Sequence, residues 1–198
     1  MTDIQILPSK PAFTNTAASM FCEAAQQAIR FRGLFTVALS GGSTPLPVYK
    51  TLASSQQADQ LDWAKIHFFW GDERPVPKEF FKEDPPQLDL ILLGMGGDGH
   101  TASLFPGTTI LTETEAGADL VAAVFVPRLD TWRISFTPKL IKAGRQIVFL
   151  VSGAEKAGTL AQVLEGPFQP EKYPSQLFRD KAIWLTDQQA ASELQGIS

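Results

Sequence analysis

Cysteine and histidine are scarce in this chain. It has one cysteine, Cys22, and two histidines, His67 and His100, among 198 residues. A single cysteine excludes an internal disulfide and a cysteine-rich zinc site, and Cys22 reads as a small apolar residue on an early helix. No cluster of metal-ligating residues stands out. Positive charge is not in excess either: 17 Lys and Arg stand against 21 Asp and Glu, a net charge of −4. Nucleic-acid binding normally shows a basic surplus, so that partner is not expected. An anionic ligand then has to be held by a local cluster of cations and amides. No apolar run is long enough to span a bilayer, and the start MTDIQILPSK has no apolar core of a signal peptide. A membrane partner is therefore not expected, and the default compartment is the cytoplasm.

What is present is an ordinary globular composition, 44% hydrophobic and 19% charged, in a length that suits one α/β domain over residues 1–198. Residues 14–31 carry Ala18, Phe21, Cys22, Ala25 and Ile29 at helical spacing, with Gly33 as the stop. Buried strands are expected at 34–39, 66–70, 88–93, 120–126, 133–137, 146–151 and 182–185. Helices are expected from 47, over 152–164 and over 187–194. This alternation predicts a mostly parallel sheet flanked by helices, Rossmann-like in plan. Ligands of such sheets bind beyond the carboxyl ends of the strands. The polar motifs of the chain lie there.

The first motif is SGGSTP, residues 40–45. Gly41 and Gly42 let the backbone turn tightly and approach a ligand, and Ser43 or Thr44 can cap the next helix. No Gly-Lys-Ser/Thr follows, so it is not a Walker loop; two glycines alone would equally make a plain strand-to-helix turn. In GDER, residues 71–74, Arg74 could grip a phosphate, and Asp72 or Glu73 could bind a sugar hydroxyl or position Arg74, or the loop is simply a solvated ion pair. SGAEKA, residues 152–157, puts Lys156 in the first turn of a helix. A cation is electrostatically misplaced there unless it meets an anion or points to solvent. Arg133 either reaches the site or stacks on Trp132. His67 reads as a structural histidine inside a strand.

GMGGDGH, residues 94–100, contains the pattern G-x-G-x-x-G after an apolar run. A dinucleotide fingerprint needs a full helix after its third glycine. Pro106 and Gly107 stop any helix within about two turns, and His100 would crowd the packing. The loop reads instead as the mount for an exposed general base, His100, beside Asp98.

In chain order, SGGSTP, WGDERPVP, GMGGDGHTASLFPG, VPRLDTWRISFTPKLI and FLVSGAEKA resemble the 6-phosphogluconolactonase family. Its wider relatives are the glucosamine-6-phosphate isomerases/deaminases. The resemblance implies an α/β fold of the deaminase/lactonase type and hydrolysis of a phosphosugar lactone without metal or organic cofactor. It implies His100 as acid/base and Asp98 as the residue orienting the loop or the imidazole. It implies a phosphate grip from the SGGST amides with Arg74 and Lys156, and Arg133 as a further candidate. Two other readings stay open: an isomerase/deaminase acting on an amino sugar phosphate, and a phosphosugar-binding protein impaired in catalysis.

The chain departs from that family at one place. Lactonases carry a long segment after the GDER strand, whereas here Pro77 is followed almost at once by KEFFKEDPP. A parallel connection between strands 66–70 and 88–93 needs a crossover of a dozen or more residues, usually with a helix. Pro75, Pro77, Pro85 and Pro86 leave only residues 78–84 for one. A few dozen residues are therefore expected to be absent near Pro77–Lys78. The intact mass of the natural protein should lie well above the 21.6 kDa of these 198 residues. A natural product of 21.6 kDa would instead make the deletion real.

Overall fold

The computed structural model describes residues 2–71, 87–111 and 119–196. Its main sheet has the order β1-β8-β7-β4-β2-β3, and every neighbouring pair is parallel. The strands are β1 (Asp3–Leu7), β2 (Phe35–Leu39), β3 (Ile66–Trp70), β4 (Leu90–Gly94), β7 (Gln146–Val151) and β8 (Ile183–Asp187). Strands β5 (Val121–Val126) and β6 (Thr131–Phe136) form a separate antiparallel pair. The mostly parallel α/β plan read from the sequence is the observed one.

Helix α1 (Lys10–Arg32) is longer than its apolar stripe alone suggests, because both ends are capped. Ser9 Oγ accepts the Ala12 N–H, Pro11 lies in the first turn, and Gly33 closes the other end at φ 83°. Such a φ suits glycine and few other residues. Arg30 and Arg32 in the last turn complement the helix dipole. The buried stripe of α1 packs with Leu90, Leu92, Val37 and Leu39 on one face of the sheet. Alternate residues Ile91, Leu93 and Ala38 enter the core on the other face, with Phe149 and Trp184. That period of two in strands buried on both sides explains their continuous apolar runs. The Phe149 and Trp184 rings stack at 4.0 Å.

Three elements differ from the sequence reading. Strand β1 went unread: it is a short run before Pro8 and pairs only at the sheet edge with β8. A helix is expected over residues 187–194, but Asp187 ends β8 and residues 188–193 form turns. There the Gln188 N–H is drawn to the Leu7 carbonyl, and the Asp187 carboxylate takes the Ala190 N–H. Residues 120–126 and 133–137 do not join the parallel sheet. Only a 3₁₀ turn, Pro127–Leu129, and Asp130 at φ 47° separate β5 from β6. So short a link can join only antiparallel strands.

The helices α2 (Leu46–Leu52), α3 (Ser55–Ala58), α4 (Pro138–Ala143) and α5 (Ala157–Leu164) complete the layers. Neither Ser43 nor Thr44 caps α2; its cap position is Pro45, without a side-chain bond. By contrast, Thr137 caps α4 through the Leu140 N–H.

At the amino edge of the sheet, Asp89 is buried just before β4. Its Oδ2 accepts from Thr36 N–H at 2.8 Å and Thr36 Oγ at 2.9 Å, and its Oδ1 meets Arg32 at 2.7 Å. This carboxylate sets β4 against β2. Asp89→Ala leaves a buried N–H without a partner, which costs about 1–3 kcal/mol. The urea midpoint should fall with the slope unchanged, and an unmoved midpoint would show that the tie is dispensable.

Candidate active site

Strands β2, β4 and β7 end side by side, and the loops that leave them enclose a cavity of about 410 Å³. The loop after β2 contributes Gly41, Gly42, Ser43 and Thr44, and the loop after β4 contributes Gly96 and His100. Lys156 and Glu155 come from the loop after β7. Gly42 sits at φ 100°, and a Cβ on Gly41 or Gly42 would meet no atom within 4 Å. These glycines thus present open backbone to the cavity. The Tyr49 hydroxyl donates to the Ser40 carbonyl at 2.8 Å and fixes where the turn begins. Burial pushes the Tyr49 phenol up, partly offset by its bond to Ser40, so it stays a donor at neutral pH.

The loop after β4 is built around its histidine. The Gly96 N–H donates to the His100 carbonyl at 2.8 Å, and the Gly99 N–H to the Gly96 carbonyl at 3.0 Å. From outside, Ser175 N–H and Oγ both donate to the Gly99 carbonyl, at 2.9 and 2.8 Å, and Thr159 Oγ donates to the Gly97 carbonyl. The imidazole lies against the Gly96 backbone, where a Cβ would fall 2.0 Å from Nδ1. Gly99, at φ 77°, is pressed on its other side by Tyr173.

His100 Nδ1 lies 2.5 Å from Asp98 Oδ1, and both side chains are about a quarter exposed, at 26%. Burial alone would raise the Asp98 carboxyl. Hydrogen bonds and charge from His100, with the Arg128 guanidinium, instead hold it below the ordinary carboxylate value. An ionised carboxylate only accepts, so in the neutral imidazole Nδ1 carries the proton and the lone pair lies on Nε2. The dyad is therefore set up to take a proton at Nε2.

Lys156 precedes α5 and is half-buried at the cavity. Its loop is anchored by Asp187 at the end of β8, which accepts from Ser152 Oγ at 2.5 Å and Gly153 N–H at 3.2 Å. Burial pulls the Asp187 carboxyl up, but those bonds, the Ala190 N–H and the charge of Lys10 hold it below its usual value. Asp187 is a positioning residue that the sequence reading missed; a lone aspartate at the end of a late strand carried no signal. Arg133 lies exposed on β6, opposite Val124, and does not line the cavity. Asp72 and Arg74 lie outside the described residues, as does the junction at Pro77–Lys78. Among the described residues no three His, Cys, Asp or Glu side chains group as a metal site, and no helix is long and apolar enough to cross a membrane.

Together these features place an Asp–His pair and a lysine at a cavity on the carboxyl edge of a parallel α/β sheet. The chain belongs to the family of glucosamine-6-phosphate isomerases/6-phosphogluconolactonase, whose family model matches residues 8–80 and 78–186. A 6-phosphogluconolactonase of Synechocystis sp. is 35% identical, over 96% of this chain and 98% of its own length. That alignment runs over 244 positions against 198 residues here, so the relative carries several dozen residues without a counterpart. The 6-phosphogluconolactonase structure from Trypanosoma brucei has a TM-score of 0.80 at 21% identity, covering 98% of this chain and 99% of that one. A monomeric glucosamine-6-phosphate deaminase gives 0.76 at 17% identity, covering 96% and 99%. The fold is thus shared by both branches.

The contact between Gly96 and the imidazole makes a sharp test. Gly96→Ala should displace His100 and cut kcat at least 10²-fold, the usual cost of moving a reacting group by about 1 Å. Gly97→Ala, where a Cβ would meet nothing within 4 Å, should keep kcat within about threefold. Equal loss in the two variants, measured by steady-state kinetics, would contradict this account of the loop.

Proposed function

We infer that the chain hydrolyses 6-phospho-D-glucono-1,5-lactone to 6-phosphogluconate, the second step of the oxidative pentose phosphate pathway. The observation that carries this reading is the Asp98–His100 pair at the cavity, in a chain 35% identical to a 6-phosphogluconolactonase along nearly its whole length. A lactone is a cyclic ester, and its hydrolysis needs one proton moved twice. His100 Nε2 takes a proton from the water that attacks the C1 carbonyl. It then returns that proton to the ring oxygen as the C1–O bond breaks, which leaves the carboxylic acid and a free hydroxyl. Asp98 keeps the imidazole in the tautomer that accepts, and stabilises the imidazolium between the two transfers.

The phosphate end is assigned to the opposite wall. Gly41, Gly42, Ser43 and Thr44 offer loop amides and hydroxyls, and Lys156 supplies the positive charge that the chain as a whole lacks. Arg74 is assigned to the same phosphate and Asp72 to a sugar hydroxyl, on the motif alone. Arg133 is left as a peripheral candidate. A phosphorylated sugar does not cross membranes unaided, which supports a cytoplasmic site of action and a small-molecule partner. We assign the residues without a counterpart in this chain to the junction near Pro77–Lys78, where the two matched blocks of the family meet.

The deciding assay is acid release from fresh lactone, corrected for spontaneous hydrolysis. Ammonia release from glucosamine 6-phosphate would select the deaminase branch, and lactone binding without turnover would select an impaired binding protein. His100→Ala should lower kcat roughly 10²–10⁴-fold in a folded protein, and near-normal turnover would remove His100 from the mechanism. Lys156→Ala should weaken binding of the phosphorylated lactone by about 1.5–3 kcal/mol and leave the unphosphorylated lactone unaffected. Equal losses on both substrates would take Lys156 off the phosphate.

A further inference from the structure

Arg128 was given no role in the sequence reading, yet it is a direct neighbour of the Asp98–His100 pair. It stands in the 3₁₀ turn at the tip of the β5–β6 hairpin, 30 residues beyond Asp98 in the chain. Its Nη1 lies 2.6 Å from Asp98 Oδ2, the oxygen that His100 does not use. The approach is close but not aligned as a hydrogen bond, and Oδ2 is otherwise buried without a partner among the described residues. The attraction is therefore mainly one of charge. The same guanidinium lies over the Phe105 ring at 4.7 Å, and Phe105 stacks on the His100 imidazole at 4.2 Å. Four side chains thus close a ring of contacts: His100 to Asp98, Asp98 to Arg128, Arg128 to Phe105, and Phe105 back to His100.

The hairpin is held where this ring needs it. Val124, Val126 and Phe136 are buried in the core shared with β4 and β7. The Phe136 N–H donates to the Gly71 carbonyl at 2.9 Å, and Ser135 Oγ accepts the Ser103 N–H at 3.1 Å. That last bond ties β6 directly to the loop that carries His100. The tip is consequently a fixed arm, and its arginine arrives at a defined place.

We propose that Arg128 is a positioning residue for lactone hydrolysis: it fixes the Asp98 carboxylate through Oδ2 and the imidazole plane through Phe105, without holding the substrate. This rests on the lactonase reading of the same site. A planar guanidinium is suited to both contacts, since it carries a permanent charge and stacks on an aromatic face. An unpinned Asp98 could rotate about its side-chain bonds, and the ring it orients would turn with it.

The test is Arg128→Met, which keeps an apolar stem over Phe105 and removes the charge. On both the phosphorylated and the unphosphorylated lactone, kcat should fall by a similar factor, roughly 10- to 100-fold, from misplacement of the base. KM for the phosphorylated lactone should stay within about twofold. Arg128→Lys, which keeps a charge, should recover part of kcat. In ¹⁵N-edited spectra of the imidazole, the His100 Nδ1–H signal of the parent should broaden or vanish in the Met variant; this reading needs no turnover. A rise in KM confined to the phosphorylated lactone would make Arg128 a phosphate ligand and overturn the proposal. Unchanged kcat with an unchanged imidazole signal would overturn it as well. A parent without lactonase activity would sink the functional reading instead, while the imidazole signal would still decide whether Arg128 pins the pair. Should the Met variant fail to fold, the Lys variant decides: a rise in KM with kcat unchanged overturns the proposal there too.

Discussion

Strand β4 is the constraint on which the other parts depend. It lies between β2 and β7, and Leu90 and Leu92 go to one core while Ile91 and Leu93 go to the other. A one-residue slip would exchange the two sets and misplace everything that follows. Its entry is held by Asp89 against Thr36, and its exit delivers Gly94 and the histidine loop to the cavity. The buried carboxylate and the histidine loop thus stand at opposite ends of one strand.

At that carboxyl edge the fold supports partly buried charge with several small devices. Asp98 would resist ionisation in its partly buried place, yet His100 and Arg128 together keep it a carboxylate. Asp187 is kept a carboxylate in the same way, by Ser152, Gly153 and Ala190. The two aspartates support different walls of one cavity, Asp98 by its bond to His100 and Asp187 by its bonds to the loop that carries Lys156. Neither wall relies on a long helix dipole: α2 is short and lacks a side-chain cap, and Lys156 lies before α5. Loop backbone and discrete side chains carry the electrostatics.

The antiparallel hairpin is the part of the architecture least suggested by an alternating α/β pattern. Its inner residues extend the core, and its turn brings a cation to the dyad. Its outer face leaves Phe125, Trp132 and Ile134 exposed. One short element therefore connects core packing, through Ser135 and Ser103, with the geometry of the base.

Much of this was legible in the chain itself. Uninterrupted apolar runs marked the central strands because both faces of each are buried. Glycine clusters after them marked the loops, where Gly42, Gly99 and Gly153 take positive φ and Gly96 leaves room for the imidazole. DGH in a glycine-rich loop marked the dyad because its two residues are only two apart and meet by local geometry. Edge strand β1 and the turns at 188–193 were misread or missed, since their form is set by pairing with each other's ends of the chain. Arg133 and Arg128 stand five residues apart in one motif, and the sequence pointed only to Arg133. The hairpin register turned the first outward and put the second on Asp98. Local steric and hydrogen-bonding rules thus let the sequence alone determine the central strands, the loops after them and the Asp98–His100 contact. Which distant charge meets that base was decided only by tertiary packing, because no local rule relates residues 98 and 128 until β6 is docked on the histidine loop.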